Sequence, residues 1–146
     1  VRRASDATWT GADVALNRFS DGFPLLLMGE ASLADLNTRL PEPLPMNRFR
    51  PNLVITGLDA YEEDYIDTLS SGNITLRVVK PCTRCEITTT DQTTGARGAE
   101  PLRTLATYRA NPRVGGGITF GQNAIIVSGI GETLHEGMQF EVNWSF

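Results

Sequence analysis

Apolar positions in this chain fall mostly in short runs of strand character, punctuated by turn residues, with two stretches that switch to helical spacing. Phe23 to Met28 (FPLLLM) is a continuous apolar run opened by an X-Pro step, and predicts a buried strand. After Gly29, Leu33, Leu36 and Leu40 would share one helix face. Ser32 with Asp35 three residues on resembles a capping box, so the pattern predicts a helix of about two turns over Ser32–Leu40. Pro41, Pro43 and Pro45 then forbid helix and make an extended connector. Arg48–Gly57 (RFRPNLVITG) predicts a strand with Pro51 near its start, where a missing N–H is tolerated. YEEDYIDTL predicts a helical turn, and Ser70 to Asn73 a reversal. Ile74–Lys80 is β-branched and partly alternating, a strand that Pro81 should stop. Glu86–Asp91 predicts another strand and TTGARG a turn after it. Glu100–Arg109 places Leu102, Leu105 and Tyr108 at helical spacing. ITFGQNAIIVSG and MQFEVNW predict closing strands. The strands are numerous and the helices short, with no internal repeat and no long alternating helices. The predicted class is mainly β, a barrel or strongly curved sheet with a few short helices packed on it.

Composition narrows this picture without changing it. A chain of 146 residues with 40% hydrophobic and 21% charged positions suits one globular domain. No apolar stretch approaches the roughly 18 residues needed to span a bilayer, and no signal peptide is visible. The chain opens on Val1, and residues 1–20 are expected to be a tail or the end of a preceding domain, with the domain proper over 21–146. A net charge of -4 argues against binding a nucleic-acid polymer or an anionic membrane by bulk electrostatics. Two cysteines fit a reducing compartment, and a cytoplasmic location is expected.

The richest chemistry lies in LRVVKPCTRCEITTT, from Leu76 to Thr90. It holds both cysteines and the only lysine, Lys80. A thiolate is a strong nucleophile and a soft metal ligand, and cationic neighbours favour it. A closed structural zinc site needs four ligands, and two cysteines with His135 fall short. A thioredoxin-type pair belongs at a helix N-terminus, whereas a strand pattern follows Cys85. Either cysteine could simply be a small buried hydrophobe. If the segment is extended, Cys82 and Cys85 lie on opposite faces, one towards the core and the other towards a site. Arg48 and Arg50 would be alternate residues of one strand. The acidic group Asp59, Glu62, Glu63 and Asp64 reads as a solvated turn, Glu100 as a first-turn helix acid, and His135 as a surface residue.

RFRPNLVI, VVKPCTRCEITTTDQTTG, EPLRTLATYR and FGQN, in that order, resemble the MOSC domain, the C-terminal domain type of molybdenum cofactor sulfurases. The likeness is to the branch of amidoxime-reducing components and their bacterial relatives, and spans nearly the whole chain. It implies a MOSC-type β-barrel that builds a molybdopterin site together with a preceding N-terminal domain or second chain. By resemblance, Cys85 is the molybdenum ligand and the catalytic residue. Arg50 and Arg84 hold the cofactor, and Asn52, Gln122 and Asn123 line its pocket; Lys80, read from its own chemistry, could bind the cofactor phosphate as a point charge. The wider family has also been associated with pyridoxal phosphate, for which Lys80 would be the Schiff-base residue; this ranks behind molybdopterin. Phe23 stands where some relatives carry a small hydroxyl residue.

The function implied is that of a molybdenum-cofactor oxidoreductase domain, part of a larger reductase of N-hydroxylated substrates such as amidoximes or hydroxylamino-purines. Electrons would come from a separate donor protein. Two alternatives stay open on the sequence: a sulfur-carrier domain using a cysteine persulfide, and a non-enzymatic cofactor-binding module.

Overall fold

The structure, a computed structural model, describes residues 3–17 and 22–146. Its main sheet runs in the order β4 (Leu53–Ile55), β3 (Leu25–Gly29), β8 (Gly117–Ser128), β6 (Ile74–Thr83), β5 (Ile66–Ser71), β9 (Glu141–Trp144), with β7 (Ala110–Asn111) pairing β8 beside this path. The class is mainly β as expected, and the sheet curls into a half-barrel. Among the described residues, only β3 and β4 pair in parallel. A separate ribbon pairs β1 (Arg3–Ala4) with β2 (Leu16–Asn17), flanking the single turn of α1 (Ala7–Thr10).

The long β6–β8 ladder shifts register three times, between Thr75 and Leu76, Val78 and Lys80, and Pro81 and Thr83. Such irregularities bend a strand and sharpen its twist, which curls the sheet. They also explain why Pro81 does not stop β6. It sits at a register shift, where the ladder forgoes its missing N–H.

Alternation along β3 divides the core. Met28 faces a cluster with Leu33, Leu36 and Leu40 of α2 (Glu30–Arg39) and its end, joined by Phe49, Leu105 and Phe120. Its neighbour Leu27 faces the opposite cluster of Ile66, Leu69, Ile74 and Leu76. A third cluster, Ala15, Phe23, Val79 and Ile125 with Trp9 against it, docks the N-terminal segment. Arg77 anchors that segment through Asp13 at 2.6 Å and the Thr10 carbonyl at 2.6 Å.

Several expected elements form differently. The strand expected over Arg48–Gly57 shrinks to β4. Met46–Phe49 instead makes a 3-10 turn after Pro45, closed by Arg48 N–H to the Pro45 carbonyl and Arg50 N–H to that of Asn47. Glu86–Asp91 is not a strand either. Glu86–Thr89 is a 3-10 turn in which the Thr88 hydroxyl donates to the Cys85 carbonyl and the Thr89 hydroxyl to that of Glu86. Hydroxyl side chains can satisfy local carbonyls in this way, which outweighs the strand propensity of threonine. Helix α3 covers only Leu102–Leu105. The expected capping box is not used. Gly29 caps α2, Ser32 bonds Glu63, and Asp35 pairs with Arg39 and accepts from Tyr61.

The acidic group is only in part a solvated turn: Asp59 is exposed and its N–H donates to Glu62, but Glu63 and Asp64 are tied into the fold. Glu63 is 1% exposed and accepts from Gly29 N–H and from the Ser32 hydroxyl, at 3.1 and 2.7 Å. Asp64 pairs with Arg109 at 2.8 Å and accepts from the Gln122 amide at 2.6 Å. Burial alone would lower Arg109, but the Asp64 carboxylate raises it. Nearby, burial and hydrogen bonds to Tyr108 and Asp35 push the Tyr61 phenol well above its ordinary range. His135 is exposed, and Glu100 accepts from Thr104 N–H and Arg103.

Candidate functional site

A cleft of about 290 Å³ opens between the end of β6, the turn before β4 and the middle of β8. Cys85, Arg50, Asn52, Lys80, Arg84 and Asn123 all line it. Gln122 does not. It is 2% exposed and its amide donates to Asp64 on the other side of β8. Strand alternation requires this, because Asn123 faces the cleft and its neighbour must face away.

The thiols are arranged differently from the extended-segment expectation. β6 ends at Thr83, the Arg84 N–H bonds the Ile118 carbonyl at 2.8 Å, and Cys85 becomes the cap of the 3-10 turn. Cys85 is exposed and Cys82 half-buried, so neither is a core residue. Both border the cleft. The Cys85 carbonyl is occupied by Thr88 through its N–H at 3.1 Å and its hydroxyl at 2.9 Å, which fixes the backbone beneath the thiol. Ile87, 57% exposed, adds an apolar rim beside it.

Arg48 and Arg50 are separated by the 3-10 turn. Arg48 is buried and pairs with Asp91 at 2.8 Å. The Asp91 carboxyl is held below its ordinary value first by the Thr94 N–H, then by the Thr94 hydroxyl and the Thr93 N–H, with Arg48 adding to them. A depressed carboxyl stabilises the fold above the ordinary carboxylate range and loses that effect only as pH falls through its lowered value. The Arg48–Asp91 clasp is therefore closed at neutral pH. Arg50 is exposed and left-handed, at φ 55° and ψ 46°. That conformation costs a non-glycine residue about 1 kcal/mol and persists only where neighbours hold it. Asn52 is one such neighbour. Its N–H donates to the Leu26 carbonyl and its Oδ1 accepts from Leu26 N–H, at 2.9 and 2.8 Å. The carboxamide is thus oriented with its Nδ2 donor turned away from β3.

Lys80 lies with its Nζ 5.2 Å from the centre of the Trp9 ring and 6.0 Å from that of Phe23. Trp9 escaped the sequence reading, since nothing in the pattern links it to a lysine 71 positions on. The Asp91 partner of Arg48 was missed for the same reason. A second depression, of about 370 Å³, lies by Arg39, Pro41, Glu100 and Arg103 and contains no thiol. Among the described residues, no group of three or more His, Cys, Asp or Glu side chains could hold a metal ion. The two cleft thiols alone supply too few ligands for a closed metal site.

Comparison with known proteins bears on this arrangement. Residues 16–137 match the MOSC domain. The human protein "Mitochondrial amidoxime-reducing component 1" is 49% identical over 92 residues, covering 62% of this chain and 27% of that protein. The bovine "Mitochondrial amidoxime reducing component 2" is 47% identical over 92 residues, with the same coverage, 62% and 27%. The aligned stretch is therefore about a quarter of the length of these curated relatives. Their names place those proteins in mitochondria, which overturns the cytoplasmic location expected from cysteine usage. Cysteine count could not separate one reducing compartment from another. Among the described residues, no helix is long and apolar enough to cross a membrane.

Proposed function

The chain belongs to the MOSC domain family, whose amidoxime-reducing members are its relatives, and on that premise we propose that its cleft is one wall of a molybdenum–pterin site with Cys85 as the metal ligand. The observation that carries this reading is the exposed Cys85 thiol on a cleft shared with Arg50, Asn52, Lys80 and Asn123. The donor set fits the group. A soft thiolate suits molybdenum already held by two dithiolene sulfurs. A guanidinium fork and a lysine suit the pterin phosphate. The cleft, about 290 Å³, is at the small end for a cofactor pocket, in keeping with one wall of a shared site.

The bound group supplies two-electron reduction, and the chain's residues bind, orient and shield it. Cys85 would offer its sulfur from a backbone fixed by Thr88. Arg50 presents its fork from a constrained turn. Asn52 and Asn123 offer amide groups to the ring system. Ile87 and the buried rings of Phe23 and Phe49 keep water from one side. The substrates of this reading are N-hydroxylated compounds such as amidoximes, supported by the relatives' names. A preceding domain or second chain would complete the cofactor site, and a separate protein would deliver electrons. Residues 21–146 form the domain proper in this proposal, with 1–20 as a lead-in whose described part packs on β6.

The test is metal content. In the full-length gene product from cells making molybdenum cofactor, Cys85→Ser should lower molybdenum and pterin per folded protein at least about tenfold. Cys82→Ser should retain both, because its half-buried thiol is only a border of the cleft. Elemental analysis and pterin fluorescence read both variants. Undiminished molybdenum in Cys85→Ser, or equal loss from two well-folded variants, would overturn the assignment. Sulfane sulfur on Cys85 in a metal-free protein would replace it with sulfur transfer.

A further inference from the structure

We infer that Arg84 is the positioning residue of this site, pinning the Arg50 turn and the Cys85 loop to β3 and β8 so that both reach the cleft in one fixed relation. Its functional consequence rests on the cofactor reading above; its geometry does not. Arg84 Nε donates to the Phe120 carbonyl on β8 at 2.7 Å, and Nη1 donates to the Phe49 carbonyl at 3.1 Å. Nη2 lies 3.4 Å from Met28 Sδ on β3, and the guanidinium carbon is 5.5 Å from the centre of the Phe49 ring. One planar group thus joins three segments that are far apart in sequence, from a residue immediately before Cys85.

The Phe49 carbonyl is the acceptor that matters most. It belongs to the residue before Arg50, whose left-handed backbone needs outside support. Asn52 secures the far side of that turn to Leu26, and Arg84 secures the near side. The fork is essential here. A guanidinium can bridge two carbonyls with fixed, divergent N–H groups, whereas an ammonium on a flexible stem cannot hold both in place. Gly121 packs beside the pin: at φ +79°, a Cβ there would crowd Met28 Cγ at 2.7 Å, the side chain whose sulfur Arg84 Nη2 contacts. Arg84 therefore acts on the cofactor through the backbone that it holds, and its charge alone does not replace it.

Arg84→Lys separates these roles, with Arg84→Ala beside it, in the full-length gene product prepared from cells that cannot make the cofactor. Hydrogen exchange should accelerate at least about tenfold at the amides of Arg50, Asn52 and Thr88 in both variants, while Leu69 and Leu76 in the β5–β6 hairpin keep their protection. In cofactor-making cells, both variants should lose molybdenum to a similar extent. Wild-type exchange rates in Arg84→Lys would overturn the inference. So would full molybdenum retention in Arg84→Lys beside loss in Arg84→Ala, since charge would then suffice. If the alanine variant does not fold, the lysine variant alone decides. Local loosening in a protein that holds no molybdenum in any form would sustain the positioning role and remove the cofactor reading, so the two fail separately.

Discussion

Gly121→Ala is expected to destabilise the fold by about 2–5 kcal/mol. Two independent costs add. Gly121 has φ +79°, a region where an L side chain costs roughly 1–2 kcal/mol. The added Cβ would also lie 2.7 Å from Met28 Cγ and 2.8 Å from the Leu27 carbonyl. The second contact is backbone of the adjacent strand, which cannot move aside without breaking the β3–β8 pairing. Forcing a methyl into such a place costs roughly 1–3 kcal/mol. Because a displaced Met28 carries the sulfur that Arg84 Nη2 contacts at 3.4 Å, the variant should also disturb the Arg84 bonds and with them the cleft. Urea unfolding decides it: the midpoint should fall with the m-value unchanged. A loss under about 1 kcal/mol would mean that the strands separate here at little cost, against the tight approach described.

The second large effect is expected at Glu63. Glu63→Ala should cost about 3–5 kcal/mol, because two buried donors, each worth roughly 1–3 kcal/mol when left unpaired, lose their acceptor. Those donors are Gly29 N–H, where β3 passes into α2, and the Ser32 hydroxyl, which itself accepts from Tyr61 N–H at 2.8 Å. Water cannot readily substitute at a side chain 1% exposed. Glu63→Gln should fall between wild type and alanine. Its carboxamide oxygen can serve one donor, but its NH2 would face the other. Thermal and denaturant unfolding of both variants provide the check. Equal stability of Glu63→Ala and wild type would show that the β3–α2 junction does not depend on this carboxyl.

Much of the scaffold was legible because its strands carry their own pattern. β3, β6, β8 and β9 appear where apolar runs and alternation predict them, and α2 where leucines recur at helical spacing. The failures share a cause. Arg48–Gly57 and Glu86–Asp91 have strand composition, but Pro45 and the Thr88 and Thr89 hydroxyls close local 3-10 turns. The result is a site built from turns, where the pattern promised edges. Glu63 looks solvated in sequence because its partners Gly29 and Ser32 lie more than 30 positions away. Six of the seven residues singled out for the site meet in one cleft, since motif order carries that information. Gln122 shows its limit. FGQN names two neighbours, but a strand presents only one of them to a given face.

Trp9 gives the cleft an optical consequence. Its ring sits 5.2 Å from the Lys80 ammonium and 6.0 Å from the Arg113 guanidinium carbon. The chain has two tryptophans, and the other, Trp144, stacks on Phe146 at the edge strand β9. A ligand that draws Lys80 towards itself changes the charge beside an indole, whose emission responds to such fields. With Trp144 replaced by phenylalanine, the protein would carry one native fluorophore beside the cleft-lining Lys80, able to report filling without label, metal assay or turnover.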